Sequence, residues 1–142
     1  MEALLGRCHC GRLEVRFETP SEPATLEPRA CQCSFCVRHG ARCVSDPAGR
    51  ITLTAHDGRE LVRYRFGLRT ADFLLCRTCG VYVAALLSEG PSAWATLNIA
   101  TLDQRDRFSL PARAVSYDDE DEAGRRERRR TRWTPAVLEV EG

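Results

Sequence analysis

Alternation of apolar and charged residues near the start of the chain predicts a half-buried β-strand. Over residues 12–17 the pattern is strict, so that Leu13, Val15 and Phe17 share one face and charged side chains occupy the other. Residues 19–28 contain three prolines, which cannot donate to a strand ladder, and this stretch is therefore predicted to be a loop.

Several later stretches also favour strands. Residues 50–55 and 61–66 flank Asp57-Gly58, a dipeptide suited to a tight turn, and together predict a β-hairpin. Further strands are expected at residues 71–75, 81–87 and 113–117, and residues 93–102 fit a buried strand or a short helix, of which their Trp, Thr and Ile residues favour the strand. No stretch of ten or more residues has a clean helical stripe. The predicted fold class is therefore mainly β, with at most short helical turns.

The composition changes over residues 118–132. An acidic stretch at 118–122 is followed by six arginines between Arg125 and Arg132. A nucleic-acid-binding arm is one interpretation. We favour the other, a solvated helix or loop whose acidic and basic halves offset each other, because no aromatic platform accompanies the charge. Trp133 and the alternating residues 136–140 predict a final strand that docks back on the domain.

Length and charge narrow the classes of protein further. The 142 residues fit a single domain spanning 1–142, and the net charge of +1 gives no field that would attract nucleic acid or a membrane. No stretch approaches the roughly 20 apolar residues of a membrane helix. The N-terminus lacks the features of a secretory signal, so the expected location is the cytoplasm. Oligomeric state does not follow from these observations.

Cysteine usage points to metal binding. A chain without a secretion signal is expected among reducing thiols, where disulfides rarely persist, so its eight cysteines are better explained as metal ligands. Seven of them lie in three tight clusters, and only Cys43 stands alone. The clusters are Cys8 with Cys10, Cys31 with Cys33 and Cys36, and Cys76 with Cys79.

The two outer pairs supply four thiolates, the usual ligand set of a structural zinc site. We therefore assign Cys8, Cys10, Cys76 and Cys79 to one structural Zn²⁺. Each pair is followed by a glycine that lets the backbone turn its NH groups toward the sulfurs. Spacing alone also permits Cys8 and Cys10 to share an ion with two of the three central cysteines.

The central cluster has three ligands for a second Zn²⁺ and leaves one tetrahedral position open. Catalytic zinc sites have this arrangement, with three protein ligands and an exchangeable fourth. A thiol entering that position would bind as a thiolate, because zinc lowers its pKa. Alternatively Cys43 closes the site as a fourth sulfur. Further candidate ligands are His9 and His39, whereas His56, beside Asp57-Gly58, fits turn chemistry.

Four motifs together resemble the glutathione-dependent formaldehyde-activating enzyme (Gfa) family, also called the centromere protein V domain. They are Gly-Arg-Cys-His-Cys-Gly at 6–11, Cys-Gln-Cys-Ser-Phe-Cys at 31–36, Cys-Arg-Thr-Cys-Gly at 76–80 and Thr-Leu-Asn-Ile-Ala-Thr-Leu-Asp at 96–103. The resemblance implies a β-tent fold of small antiparallel sheets stapled by zinc. It also implies a structural site from the outer cysteine pairs and a functional site at the central cluster.

The activity implied by the resemblance is that of a carbon–sulfur lyase of the S-(hydroxymethyl)glutathione synthase type. Cys31, Cys33 and Cys36 would then hold the zinc ion at which a glutathione-like thiol meets formaldehyde or a related aldehyde. Two positions depart from the family pattern, Gln32 in place of a frequent histidine and Val37 in place of a basic residue. Candidate partners for glutathione carboxylates are Arg38, Arg42 and Arg69.

A second hypothesis from another class remains open at this point. The chain could be a non-catalytic, zinc-stabilised β-module that binds protein or nucleic acid. Cys43 as a fourth ligand and the arginine-rich segment would support this alternative. Metal content of a Cys43 variant and salt-sensitive binding to nucleic acid would discriminate the two.

Overall fold

The computed structural model describes all residues from 1 to 142 and contains eleven strands and two α-helices. The strands are β1 (Glu2–Arg7), β2 (Leu13–Thr19), β3 (Arg29–Cys31), β4 (Cys43–Val44), β5 (Arg50–Ala55), β6 (Leu61–Tyr64), β7 (Asp72–Cys76), β8 (Tyr82–Glu89), β9 (Ser92–Asn98), β10 (Arg113–Val115) and β11 (Thr134–Val140). The helices are α1 (Ser34–His39) and α2 (Glu122–Arg132). The prediction of a mainly β fold is confirmed.

All eleven strands join one open, mixed sheet. Its main path runs β1-β2-β5-β11-β9-β4-β3-β10, and β8, β7 and β6 branch from β9 in that order. Most neighbours are antiparallel, but β11 pairs with β5 and β10 pairs with β3 in parallel. The final strand β11 therefore lies between β5 and β9, in the interior of the sheet.

Strand β2 follows the predicted alternation. Leu13, Val15 and Phe17 are buried, and the charged residues between them face outward. The two strands predicted around the second cysteine pair also form, as β7 and β8, and they pair with each other antiparallel. The short strand expected at 113–117 is β10.

The predicted hairpin of residues 50–66 is wrong. Both of its strands exist, but β5 pairs with β2 and β11, whereas β6 pairs with β7. The connection is a 3₁₀ turn capped by Asp57, whose carboxylate accepts from the backbone NH of Arg59 at 2.9 Å. Asp57 has φ −138°, and a tight two-residue hairpin turn would require positive φ values there. The chain therefore leaves β5 without turning back on it.

The expectation of only short helical turns is corrected by α2, which has eleven residues. Arginine, glutamate and alanine are good helix formers, and Asp121 caps the helix by accepting from the backbone NH of Gly124 at 2.7 Å. The sequence alone indicates either a helix or a loop for this segment, because its inward face carries arginines rather than the aliphatic residues that mark a helical stripe. No helix of the structure combines the length and apolar character needed to cross a lipid bilayer.

Two clusters of buried side chains make up the core. The larger one packs the inner faces of β1, β2, β5, β8 and β9 together. The smaller one surrounds Tyr82, Phe73 and Trp133 and includes Cys36 and Cys43. It lies beneath the central cysteine run and connects that run to the rest of the fold.

Gly6 brings the first strand close to the turn that follows β9. A Cβ atom at this position would stand 2.1 Å from the carbonyl oxygen of Thr101, so only glycine fits the approach. Gly6 also forms an isolated bridge with Leu102. The close contact fixes the end of β1, which leads directly into the first cysteine pair.

Candidate metal centres and the adjoining cavity

The outer cysteine pairs meet in space. The sulfurs of Cys8, Cys10, Cys76 and Cys79 all lie within 4.8 Å of one another. The Cys8–Cys10 sulfur distance is 3.7 Å and the Cys10–Cys76 distance is 3.5 Å. A tetrahedral zinc ion with bonds of about 2.3 Å requires sulfurs about 3.8 Å apart. These four residues therefore could hold a metal ion in zinc geometry.

Each outer pair sits on a turn with a glycine in the left-handed region. Gly11 has φ +86° and Gly80 has φ +77°. The turns direct backbone NH groups at the sulfurs, from Leu13 to Cys8 at 3.3 Å and from Cys79 to Cys76 at 3.5 Å. Such hydrogen bonds spread the negative charge of a thiolate and orient it toward a cation.

The central cysteines converge as a separate group of three. The sulfurs of Cys31, Cys33 and Cys36 lie within 4.8 Å of one another. Cys31 ends β3, Cys33 caps α1, and Cys36 lies in the first turn of that helix. The Cys33 sulfur accepts from the backbone NH of Cys36 at 3.3 Å. The alternative in which Cys8 and Cys10 share an ion with central cysteines does not fit these two groups.

Electrostatics within the central group favour a bound cation. Hydrogen bonds from the thiols of Cys31 and Cys36 lower the pKa of Cys33 to about 2. The same contacts raise the pKa of Cys36 above its ordinary value. One thiolate therefore forms readily, but a second and third are opposed by charge repulsion. A divalent cation would relieve that repulsion, so the donor set suits zinc.

Cys43 does not join the central group. It lies on β4, is 7% exposed, and is absent from the set of sulfurs that come within 4.8 Å of one another. Burial raises the pKa of its thiol to about 12, as expected for a thiol in an apolar setting. Neither His9 nor His39 joins a candidate metal group. His39 instead packs its ring 4.5 Å from that of Phe35.

A cavity of about 410 Å³ opens beside the three central cysteines. Cys31, Cys33 and Cys36 line it, and Cys43 contributes to the same wall. Aromatic and aliphatic side chains form much of the remainder, including Phe66, Phe73, Tyr82 and Trp133. The volume falls in the range of small-molecule sites, and the walls have the mixed apolar and polar character typical of them.

An aromatic cluster supports the cavity from the side of α1. The ring of Phe35 lies 4.9 Å from that of Phe73, 5.0 Å from that of Tyr82 and 5.5 Å from that of Phe66. Because Phe35 immediately precedes Cys36, this packing fixes the helix that contains Cys36 and is capped by Cys33. Sequence analysis did not assign Phe35 any role.

The cavity contains arginines that differ from those expected. Arg38, Arg42 and Arg69 do not line it, whereas arginines of β3 and α2 do. The four arginines in its wall are Arg29, Arg125, Arg128 and Arg129. Arg125, Arg129 and Trp133 are four residues apart, which places them on one face of a helix. Plotting residues 122–133 at helical periodicity would have identified this face from the sequence.

Three other arginines of the charged segment form ion pairs within the protein. Arg128 contacts Glu120 at 2.8 Å, and Arg126 and Arg130 contact Glu89 at 3.1 and 2.9 Å. These arginines have carboxylate partners within the protein. The segment is not uniformly solvated, however, because Arg129 is buried with 7% of its surface exposed.

The fold is mainly β and contains one group of four cysteines and a second group of three that lines a cavity. These features define a protein with two candidate metal centres. The chain belongs to the glutathione-dependent formaldehyde-activating enzyme family, whose model matches residues 3–117. The match covers both cysteine groups and ends before α2 begins.

A solved structure supports the same relationship. The chain is similar to a Rhodobacter sphaeroides protein whose crystal structure was determined in a structural genomics effort, with 34% sequence identity and a TM-score of 0.54. The similarity covers 76% of this chain and 98% of the other. A comparison with curated proteins gave no match.

Proposed function

We propose that this protein is a zinc-dependent carbon–sulfur lyase that condenses a small, glutathione-like thiol with formaldehyde or a related aldehyde. The observation that carries the proposal is the three-cysteine group, without a fourth cysteine, at the wall of a cavity large enough for a small molecule. Membership of the formaldehyde-activating family supports the same chemistry.

The two cysteine groups take different parts in this proposal. Cys8, Cys10, Cys76 and Cys79 hold a structural zinc ion, and Cys31, Cys33 and Cys36 hold the functional one. Zinc bound by three protein ligands supplies an exchangeable position and lowers the pKa of a thiol that occupies it. Cys31, Cys33 and Cys36 line the cavity, which gives a substrate sulfur access to this ion.

The reaction itself is an addition. The thiolate sulfur attacks the carbonyl carbon, so that a carbon–sulfur bond forms and the carbon–oxygen double bond becomes a single bond. The proton released by the thiol ends on the former carbonyl oxygen, giving a hydroxymethyl thioether from formaldehyde. No oxidant or reductant is consumed.

The cavity walls serve this addition by positioning the reactants. Phe66, Phe73 and Trp133 are apolar surfaces that exclude water, which competes with the thiol for the aldehyde carbon. Holding both reactants near the central sulfurs also lowers the entropic cost of bringing them together. Free cysteines in two metal groups suit a reducing compartment, and we place the protein in the cytoplasm.

Metal analysis combined with exchange spectroscopy tests the proposal. The zinc-loaded protein should contain two ions per chain and should accelerate the interconversion of formaldehyde hydrate and hydroxymethylglutathione, followed by NMR exchange cross-peaks. Cys33→Ser should lose one ion and the acceleration, because it removes a ligand of the central group.

The uncatalysed reaction is itself measurable, so the rate measurement requires two controls, buffer alone and a matched variant. Arg132→Gln removes an exposed side chain that lines no part of the cavity and should keep the wild-type rate. A wild-type protein no faster than buffer with glutathione, cysteine and 2-mercaptoethanol would contradict the proposed function.

A further inference from the structure

Arg129 is a buried cation without an acidic partner. It lies on the inner face of α2, with 7% of its surface exposed, and forms none of the protein's ion pairs with Asp or Glu. One of its terminal nitrogens donates to the hydroxyl of Thr70 at 2.6 Å, while its Nε is buried without any hydrogen-bond partner. Its guanidinium also lies 4.7 Å from the ring centre of Trp133. Burying such a charge is costly unless an anion compensates it.

Arg29, on β3, is in a similar situation. It is partly buried on β3 and donates to the hydroxyls of Ser45 and Thr96, but it contacts no carboxylate. Desolvation lowers the pKa of Arg129. Both side chains line the cavity that the central cysteines also line. The same cavity is therefore lined both by the three central cysteines and by two guanidinium groups that have no carboxylate partner.

The acidic residues of the cavity offset its positive charge only in part. Its four arginines face only two carboxylates, those of Asp118 and Glu120. Glu120 is already occupied, because it contacts Arg128 at 2.8 Å and Arg125 at 3.5 Å. The excess positive charge remains with Arg29 and Arg129, and it is available to an anionic group that enters from solvent.

We propose that α2 determines which thiol this protein uses, with Arg129 and Arg29 binding a carboxylate of the substrate while its sulfur reaches the central cysteine group. The inference rests on the proposed function for the identity of the substrate as a thiol. It adds a specificity-determining element from residues 118–142, which lie beyond the segment matched by the family model.

A carboxylate suits the two arginines for geometric and energetic reasons. Guanidinium groups present paired NH donors that match the two oxygens of a carboxylate. The Nε of Arg129 has no hydrogen-bond partner within the protein and can therefore donate to such an oxygen. Hydrogen bonds between charged groups are stronger than those between neutral groups, and they strengthen further where water is excluded. Thr70 and Trp133 hold the Arg129 side chain in place, so little order has to be gained on binding.

Calorimetric titration with S-methylglutathione tests the carboxylate site independently of catalysis. This probe carries carboxylates, but its sulfur is blocked. The zinc-loaded wild-type protein should bind it, and Arg129→Gln should weaken binding about tenfold or more. Arg132→Gln removes the same charge from the same helix outside the cavity and should bind like wild type.

Stability distinguishes a binding role from a structural one. If Arg129 binds substrate, Arg129→Gln should unfold at a temperature equal to or above that of wild type, because an uncompensated buried charge has been removed. Should the variant not fold, Arg29→Gln provides the same binding test at the second arginine. Equal affinity of the wild type and these variants for S-methylglutathione would overturn the inference. The inference would also be overturned if inorganic phosphate bound more tightly than S-methylglutathione and its binding depended on Arg129 in the same way.

A comparison of thiols separates this inference from the proposed function. The rate gain over buffer should be larger for glutathione than for 2-mercaptoethanol, and Arg129→Gln should reduce the ratio of the two gains. Equal gains for both thiols would overturn the inference and leave the lyase activity standing. Arg129-dependent binding of S-methylglutathione without any condensation would support the inference and reject the lyase activity.

Discussion

At the scale of single residues, the backbone position of a buried cysteine decides whether its sulfur joins the candidate metal group. Cys36 and Cys43 are both buried and belong to the same core cluster. Cys36 lies in the first turn of α1, which brings its sulfur to those of Cys31 and Cys33. Cys43 lies on a two-residue strand paired with β3 and β9, whose register holds its sulfur outside the central group. The two thiols differ in the backbone that presents them rather than in burial.

The first prediction concerns Cys43. Cys43→Ala should retain two metal ions per chain and lose only about 1 kcal/mol of unfolding free energy, from lost packing in a buried site. Inductively coupled plasma mass spectrometry of the purified variant measures the metal content. Cys33→Ser, prepared in parallel, should lose one ion. A Cys43→Ala protein that contains a single ion would show that Cys43 is a ligand after all.

At the scale of elements, one histidine side chain connects the ends of three neighbouring strands that are far apart in sequence. His56 directly follows β5, and its ring nitrogens lie 3.1 Å from the carboxylate of Glu14 on β2 and 3.2 Å from that of Glu141 after β11. Hydrogen bonds to these two glutamates raise the pKa of His56 above its ordinary value of 6.5. A protonated His56 therefore ties the ends of three neighbouring strands.

The second prediction follows from the direction of this shift. Because folding raises the pKa of His56, the stabilisation is fully present below pH 6.5 and is lost as pH rises through the higher pKa of the folded state. The thermal midpoint of wild type should exceed that of His56→Gln by more at pH 6 than at pH 9. These groups are exposed, so 1 M salt should shrink the difference. An identical difference at both pH values would contradict the assignment.

At the scale of the whole molecule, the outer cysteine group joins distant parts of the chain. Cys8 and Cys10 follow β1, whereas more than sixty residues later Cys76 ends β7 and Cys79 lies between β7 and β8. These strands also belong to different branches of the sheet. A metal ion at this point would cross-link the two branches, and its binding free energy would contribute directly to folding.

The third prediction compares the two groups as contributors to stability. Cys79→Ser should lower the unfolding temperature much more than Cys33→Ser, because a structural zinc ion contributes on the order of 10 kcal/mol in small domains. Excess chelator should destabilise the wild-type protein, and added Zn²⁺ should restore it. Differential scanning calorimetry with and without chelator measures both effects. Equal destabilisation by the two substitutions would argue against a purely structural role for the outer group.

Local patterns in the sequence determined much of the fold and of the cysteine groups. Alternation placed Leu13, Val15 and Phe17 correctly because a strand with one buried face has a period of two. Spacing identified the cysteine clusters because a loop of one or two residues holds two sulfurs within reach of one ion. Family-specific motifs then indicated the chemistry, and the family model matches residues 3–117.

Tertiary structure decided the features that depend on contacts between distant segments. β5 and β6 do not pair with each other, because β5 pairs with β2 and β6 pairs with β7. The partner of a strand is decided by the strands available beside it and not by a turn dipeptide alone. Packing of α2 against the cavity buried Arg129, since burial depends on what covers a helix face as well as on its sequence. The sequence by itself therefore specified the central sulfurs, and only the folded chain placed two uncompensated arginines in their cavity.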